Sequence, residues 1–154
     1  MKNNEDKINE TELISNLNFK SNVLEFVVNK VEEPKQLNIM LKDIGYLDNK
    51  DEFINKITRC EVFDCTNYEI KNVIINNDNI ELLYKLDYIL QALSGKEFIY
   101  RVTGVCNCKL IIPLTLYSVL NSENNINILE YRDKINFLEI KYDDIECDCL
   151  YLEQ

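Results

Sequence analysis

Histidine and tryptophan are absent from these 154 residues, glycine occurs three times and proline twice. Without histidine there is no Cys–His or Ser–His–Asp nucleophile and no imidazole metal ligand. Gly45, Gly95 and Gly104 stand too far apart to build a glycine-rich phosphate loop. Basic residues are also short: 17 Lys and Arg against 27 Asp and Glu, a net charge of −10. That balance excludes phosphate neutralisation on nucleic acid and repels an anionic membrane surface. No apolar run reaches the roughly 18 residues of a membrane span. The acidic pairs Glu32-Glu33 and Asp143-Asp144 point apart on extended backbone and read as solvated faces. No catalytic constellation remains, so an enzyme is not expected and no cofactor is called for.

What is present is a chain rich in asparagine, lysine and isoleucine, as an AT-rich coding sequence would produce. Hydrophobic residues make up 46%, enough for a real core. The length suits one β-rich domain over residues 21–154 with a flexible polar arm over residues 1–20. The start, Met1 to Lys7, is polar and lacks the apolar segment of a secretory signal. Synthesis in a cytosol, where thiols stay reduced, is the expectation.

Alternating apolar residues dominate the chain. Between Thr11 and Phe26 the apolar positions Leu13, Ile14, Leu17 and Phe19 allow a short helix, while Leu24, Phe26 and Val28 alternate with Glu25, Val27 and Asn29 and read as a strand. After Pro34, the positions Leu37, Ile39, Met40, Leu41 and Ile44 give a short helix stopped near Gly45. Asp48–Asp51 is a loop. Tyr68–Ile75 is strand-like, and Asn76-Asn77-Asp78-Asn79 is a turn. The clearest strand follows, with Ile80, Leu82, Tyr84, Leu86, Tyr88 and Leu90 on one buried face. A second hairpin turns at Ser94-Gly95-Lys96. Its outgoing strand carries Phe98, Tyr100 and Val102, passes a bulge at Gly104, and continues through Cys106 and Cys108 until Pro113. Asn121–Asn125 is a loop, Ile126 and Ile128 open another extended segment, and Ile135–Leu152 alternates to the end. The fold class is therefore mainly β: an antiparallel, sandwich-like sheet stack with a short helical element.

Six cysteines fall into close pairs: Cys60 with Cys65, Cys106 with Cys108, Cys147 with Cys149. Residues i and i+2 of a strand share a face. If the strands bearing Cys106, Cys108, Cys147 and Cys149 were neighbours, four thiolates could meet around a metal. One-residue spacing on a strand nevertheless holds sulfurs apart. It also disfavours a disulfide within a pair, because the Cα atoms lie near the ~7 Å limit. Each thiol must then reach another strand or another molecule. Cys147 and Cys149, flanked by Glu146, Asp148 and Glu153, sit in a polar setting suited to the second. The bland reading is that all six are small buried hydrophobes.

The stretch Cys60-Glu61-Val62-Phe63-Asp64-Cys65, then Tyr68–Ile75, a polar turn and Ile80–Leu90, resembles the SPOCS domain of spore-forming Firmicutes. The upstream Glu32–Leu41, with its proline, echoes that family's lead-in. The resemblance spans about residues 30–93 and is a pattern of apolar positions without a catalytic motif. It implies a β-rich module of a spore coat or exosporium, made in the mother-cell cytoplasm without a signal peptide and exposed to oxidising surroundings after lysis. The expected function is thus a self-assembling spore outer-layer or appendage protein. Its partners would be copies of itself in a layer or filament and other spore-surface proteins, with neither nucleic acid nor membrane. Intermolecular disulfides through Cys60, Cys65, Cys106, Cys108, Cys147 and Cys149 would join the copies. Two alternatives stand beside it: a cytosolic metal-binding module on Cys106, Cys108, Cys147 and Cys149, and a non-enzymatic interaction domain whose cysteines merely pack.

Overall fold

The computed structural model describes residues 9–43, 59–94, 97–122 and 126–149. Helices α1 (Glu10–Ser15), α2 (Leu17–Val31) and α3 (Pro34–Asp43) come first. Three long strands follow: β1 (Arg59–Ile75), β2 (Asn79–Ser94) and β3 (Glu97–Pro113). Helix α4 (Leu114–Ser122) and a 3₁₀ segment (Ile128–Lys134) lead to β4 (Asn136–Cys149). The strands form one sheet in the order β1-β2-β3-β4. The short connections between β1, β2 and β3 force antiparallel pairing, because a parallel pair needs a crossover of a dozen residues or more.

The mainly β, antiparallel class of the sequence reading stands. The partner layer read there as a further sheet is helical among the described residues. Helix α2 replaces the expected strand at residues 24–28. Its buried positions, Phe19, Val23, Phe26, Val27 and Val31, recur at helical spacing, while Leu24 and Val28 stay half-buried. The local alternation at 24–28 was a short sample of a longer 3.6-residue pattern.

Residues 10–20, expected within a flexible arm, are also helical. Asn9 caps α1 by accepting from the Thr11 and Glu12 amides at 2.8 and 3.2 Å. Asn16 accepts from the Phe19 amide at 2.9 Å as α2 begins. Leu13 and Phe19 are fully buried, which an arm would not allow. The rest of that arm, residues 1–8, lies outside the described residues, as do the Asp48–Asp51 loop, Gly45, Gly95 and residues 150–154 of the final strand.

Strand β2 matches its expectation closely. Ile80, Leu82, Tyr84, Leu86, Tyr88 and Leu90 are each 2% exposed or less, while their odd-numbered neighbours are part-buried or, at Leu83, exposed. In β3, Val102, Cys106, Cys108, Leu110 and Ile112 are buried, all at even positions. The alternation therefore keeps its parity across Gly104, and the expected bulge there is not present. Residues 128–134, expected as extended, form the 3₁₀ segment. Glu139 and Asp144 in β4 have φ of 50° and 53°, so the last strand stays continuous but carries two left-handed residues.

The chain divides into two compact units. The first holds residues 1–26, 69–84 and 108–139. Here α2 packs on β4, with the rings of Phe26 and Phe137 edge to face at 6.2 Å. Phe19 meets Tyr117 of α4 at 5.5 Å. Two asparagines one turn apart on α2 satisfy carbonyls at the end of α4: Asn22 Nδ2 donates to Leu120 O at 2.6 Å and Asn18 Nδ2 to Asn121 O at 3.3 Å. Lys109 bridges Glu81 at 3.2 Å and Glu139 at 3.6 Å.

The second unit holds residues 27–68, 85–107 and 140–154. Pro34 occupies the first position of α3, where its missing N–H costs nothing. Helix α3 covers strands β2 and β4. The Tyr88 hydroxyl donates to Met40 Sδ at 2.9 Å, and the Tyr142 hydroxyl donates to Gln36 Oε1 at 3.1 Å. The two tyrosine rings stand nearly perpendicular at 6.4 Å. Gly104 permits this arrangement, because a Cβ there would lie 2.9 Å from the Tyr88 hydroxyl and 3.1 Å from the Asp143 carbonyl.

Candidate functional site on the cysteine-bearing strands

The sheet order places the cysteines on three strands. Strands β1 and β4 are its edges and β3 is interior. Cys106 and Cys108 lie on β3 and are completely buried. Cys60 on β1 is 5% exposed. Cys65 on β1 and Cys147 on β4 are half-buried, so both part-exposed thiols sit on edge strands of the second unit. Cys149 closes β4. The structure holds Cys60, Cys65, Cys106, Cys108 and Cys147 as thiols.

Their surroundings set their reactivity, since the thiolate is the nucleophile. Burial, helped by the charge of Glu32, pushes the Cys60 thiol up to about 12. Such a group is an inert core residue at neutral pH. Burial and then the carboxylates of Asp64 and Asp87 also raise the Cys65 thiol above its ordinary range. Asp87 has one carboxylate oxygen buried without a hydrogen-bond partner. Cys106 stands beside Tyr88, whose hydroxyl is raised by burial and then by that neighbour.

The four-thiolate metal reading draws on Cys106, Cys108, Cys147 and Cys149, of which the Cys149 side chain lies outside the described residues. Asn107 Nδ2 donates to Asp143 Oδ2 at 3.0 Å, and Gly104 lies against the Asp143 carbonyl. Among the described residues no three Cys, Asp or Glu side chains gather closely enough to hold a metal ion.

Sequence reasoning passed over Glu32. It was read as part of a solvated acidic pair, but its carboxylate is half-buried and accepts the Val62 N–H of β1 at 2.7 Å. Burial raises its pKa, the Val62 hydrogen bond opposes that rise, and Glu61 adds to it. Glu33 behaves as expected on the surface and pairs with Lys30 at 3.5 Å. The signal available was the proline: a Glu-Glu-Pro turn between two helices leaves one glutamate to face whatever the second helix covers.

Comparison with protein-family models, with curated proteins and with solved structures gives no match. No described helix is long and apolar enough to cross a membrane.

Proposed function

We propose that this protein is a self-assembling structural component whose copies are joined by disulfides through edge-strand thiols, as the resemblance to a spore outer-layer module implies. The observation that supports the reading is the partial exposure of one thiol on each edge strand. Among the described side chains, Cys65 on β1 and Cys147 on β4 are part-exposed, while Cys60, Cys106 and Cys108 are buried. Edge strands present unpaired backbone groups and are where sheets meet other chains. The expectation that all six cysteines crosslink thereby narrows to those a neighbour can reach without unfolding.

The chemistry is thiol–disulfide exchange. A thiolate attacks a small-molecule disulfide and expels one thiol. A second protein thiolate then displaces the other, leaving one protein disulfide and two reduced small thiols. Electrophoresis of the oxidised assembly with and without reductant tests the reading. Ladders that collapse on reduction, and that vanish in the Cys65→Ser and Cys147→Ser double variant, are expected. A monomer under both conditions defeats it.

A further inference from the structure

Strand β1 pairs only with β2 among the described strands, so every second backbone N–H along it faces outward. An outward N–H invites strand addition, and proteins blunt such edges with charge. The Val62 N–H is one of these, and it is taken by the Glu32 carboxylate from the turn between α2 and α3. The geometry is unusual in its cost. A carboxylate is half-buried to satisfy a single amide, with Glu61 and the Cys60 thiol close by. Lys30 pairs with Glu33 at 3.5 Å. A neutral glutamine would supply the same acceptor without desolvating a charge. What only the carboxylate adds is a negative charge on the strand edge, which an incoming strand would have to bury. Farther along β1, Asn72 Oδ1 accepts the Val73 N–H at 2.9 Å, so a second donor is also occupied by a side chain.

We infer that Glu32 is an edge latch: it holds the Val62 N–H and blocks a second copy of this chain from adding its own β1 strand at that position. The latch is a property of backbone pairing and does not rest on disulfide formation. A copy approaching through β1 must displace the Glu32 side chain before the Val62 N–H can pair.

The test is sedimentation of the full chain under reducing conditions, where crosslinks play no part. Glu32→Ala should raise the apparent self-association constant at least tenfold over the unaltered chain. Adding Val62→Pro, which removes the donor at a position where an edge strand tolerates proline, should abolish that gain. A folded Glu32→Ala protein that associates like the unaltered chain overturns the inference, and so does a gain that survives Val62→Pro. If Glu32→Ala fails to fold, amide exchange of Val62 in the unaltered chain and in Glu32→Gln decides. Protection in both supports the latch, and exchange at the rate of an open strand refutes it.

Discussion

Asp87 on β2 lies close enough to Cys65 on β1 for its charge to hold the thiol up, behind the larger effects of burial and of Asp64. This edge-strand thiol is therefore kept protonated at neutral pH. Removing the charge should release it. Asp87→Asn is expected to lower the apparent pKa of Cys65 alkylation toward the ordinary thiol value and to speed its reaction several-fold at pH 8. Rates of iodoacetamide labelling, resolved by peptide mass, measure this. In the unaltered chain the same experiment should label Cys65 and Cys147 and spare Cys60, Cys106 and Cys108 until denaturant is added.

Glu32 gives a stability prediction with a definite sign. Its pKa is raised in the folded state above the ordinary carboxyl value of 4.5. The favourable contribution of its protonated form is complete below that ordinary value and is lost as pH rises through the raised folded value. Glu32→Gln keeps the acceptor for Val62 and has no charge to desolvate. It should equal or exceed the unaltered chain in stability at pH 7, and the difference should shrink as pH falls toward 4.5. Urea midpoints across that range check it. A variant clearly less stable at pH 7 would mean that the ionised carboxylate is a net benefit.

Alkaline unfolding should begin with two buried groups. Cys60 has a thiol pushed from 9.0 to about 12, and Tyr88 a hydroxyl raised above 10.0. Each binds its proton more tightly when folded, so stability is complete below the ordinary value and falls as pH climbs through the folded one. Cys60→Ala should flatten the decline that starts near pH 9, at the cost of a small cavity. Tyrosine absorbance at 295 nm should show Tyr88 ionising together with the loss of the circular-dichroism signal.

The Tyr88–Gly104 contact predicts a coupled pair. Gly104→Ala places a methyl 2.9 Å from the Tyr88 hydroxyl and 3.1 Å from a backbone oxygen, and overpacking of this kind costs ~1–3 kcal/mol. Tyr88→Phe removes the nearer atom and its bond to Met40. The double variant should be more stable than the sum of the single losses implies. Strict additivity in denaturant unfolding would show that the backbone oxygen alone excludes the methyl.

Asn22 is 1% exposed and donates to the Leu120 carbonyl at the end of α4. Asn22→Leu leaves a buried carbonyl without that donor, an expected loss of ~1–3 kcal/mol. Asn18→Leu, on the longer and less buried bond to Asn121, should cost less. Equal losses would place the cost in general packing.

The sequence by itself determined the strands whose pattern is long and two-sided. Six alternate residues of β2 carry enough signal that no neighbour can alter the outcome, and Asn76–Asn79 marks the adjoining turn by its own backbone chemistry: the Asn76 amide donates to the Asn79 carbonyl at 2.9 Å. Helix α3 was legible for the same reason, with a proline at one end and apolar residues at helical spacing. Only the tertiary structure decided residues 24–28, where a few apolar residues fit a strand or a helix and the side facing Phe137 selects the helix. It alone decided that residues 128–134 curl, that β4 takes left-handed residues at Glu139 and Asp144, and that α4 follows Pro113. It also decided the cysteines. Spacing shows which thiols share a face, but exposure depends on which face is covered and on strand order, and both are matters of long-range packing that no local pattern encodes. Cys106 and Cys108 are buried on interior β3 and Cys60 is buried even on edge strand β1, while Cys65 on β1 and Cys147 on β4 are part-exposed.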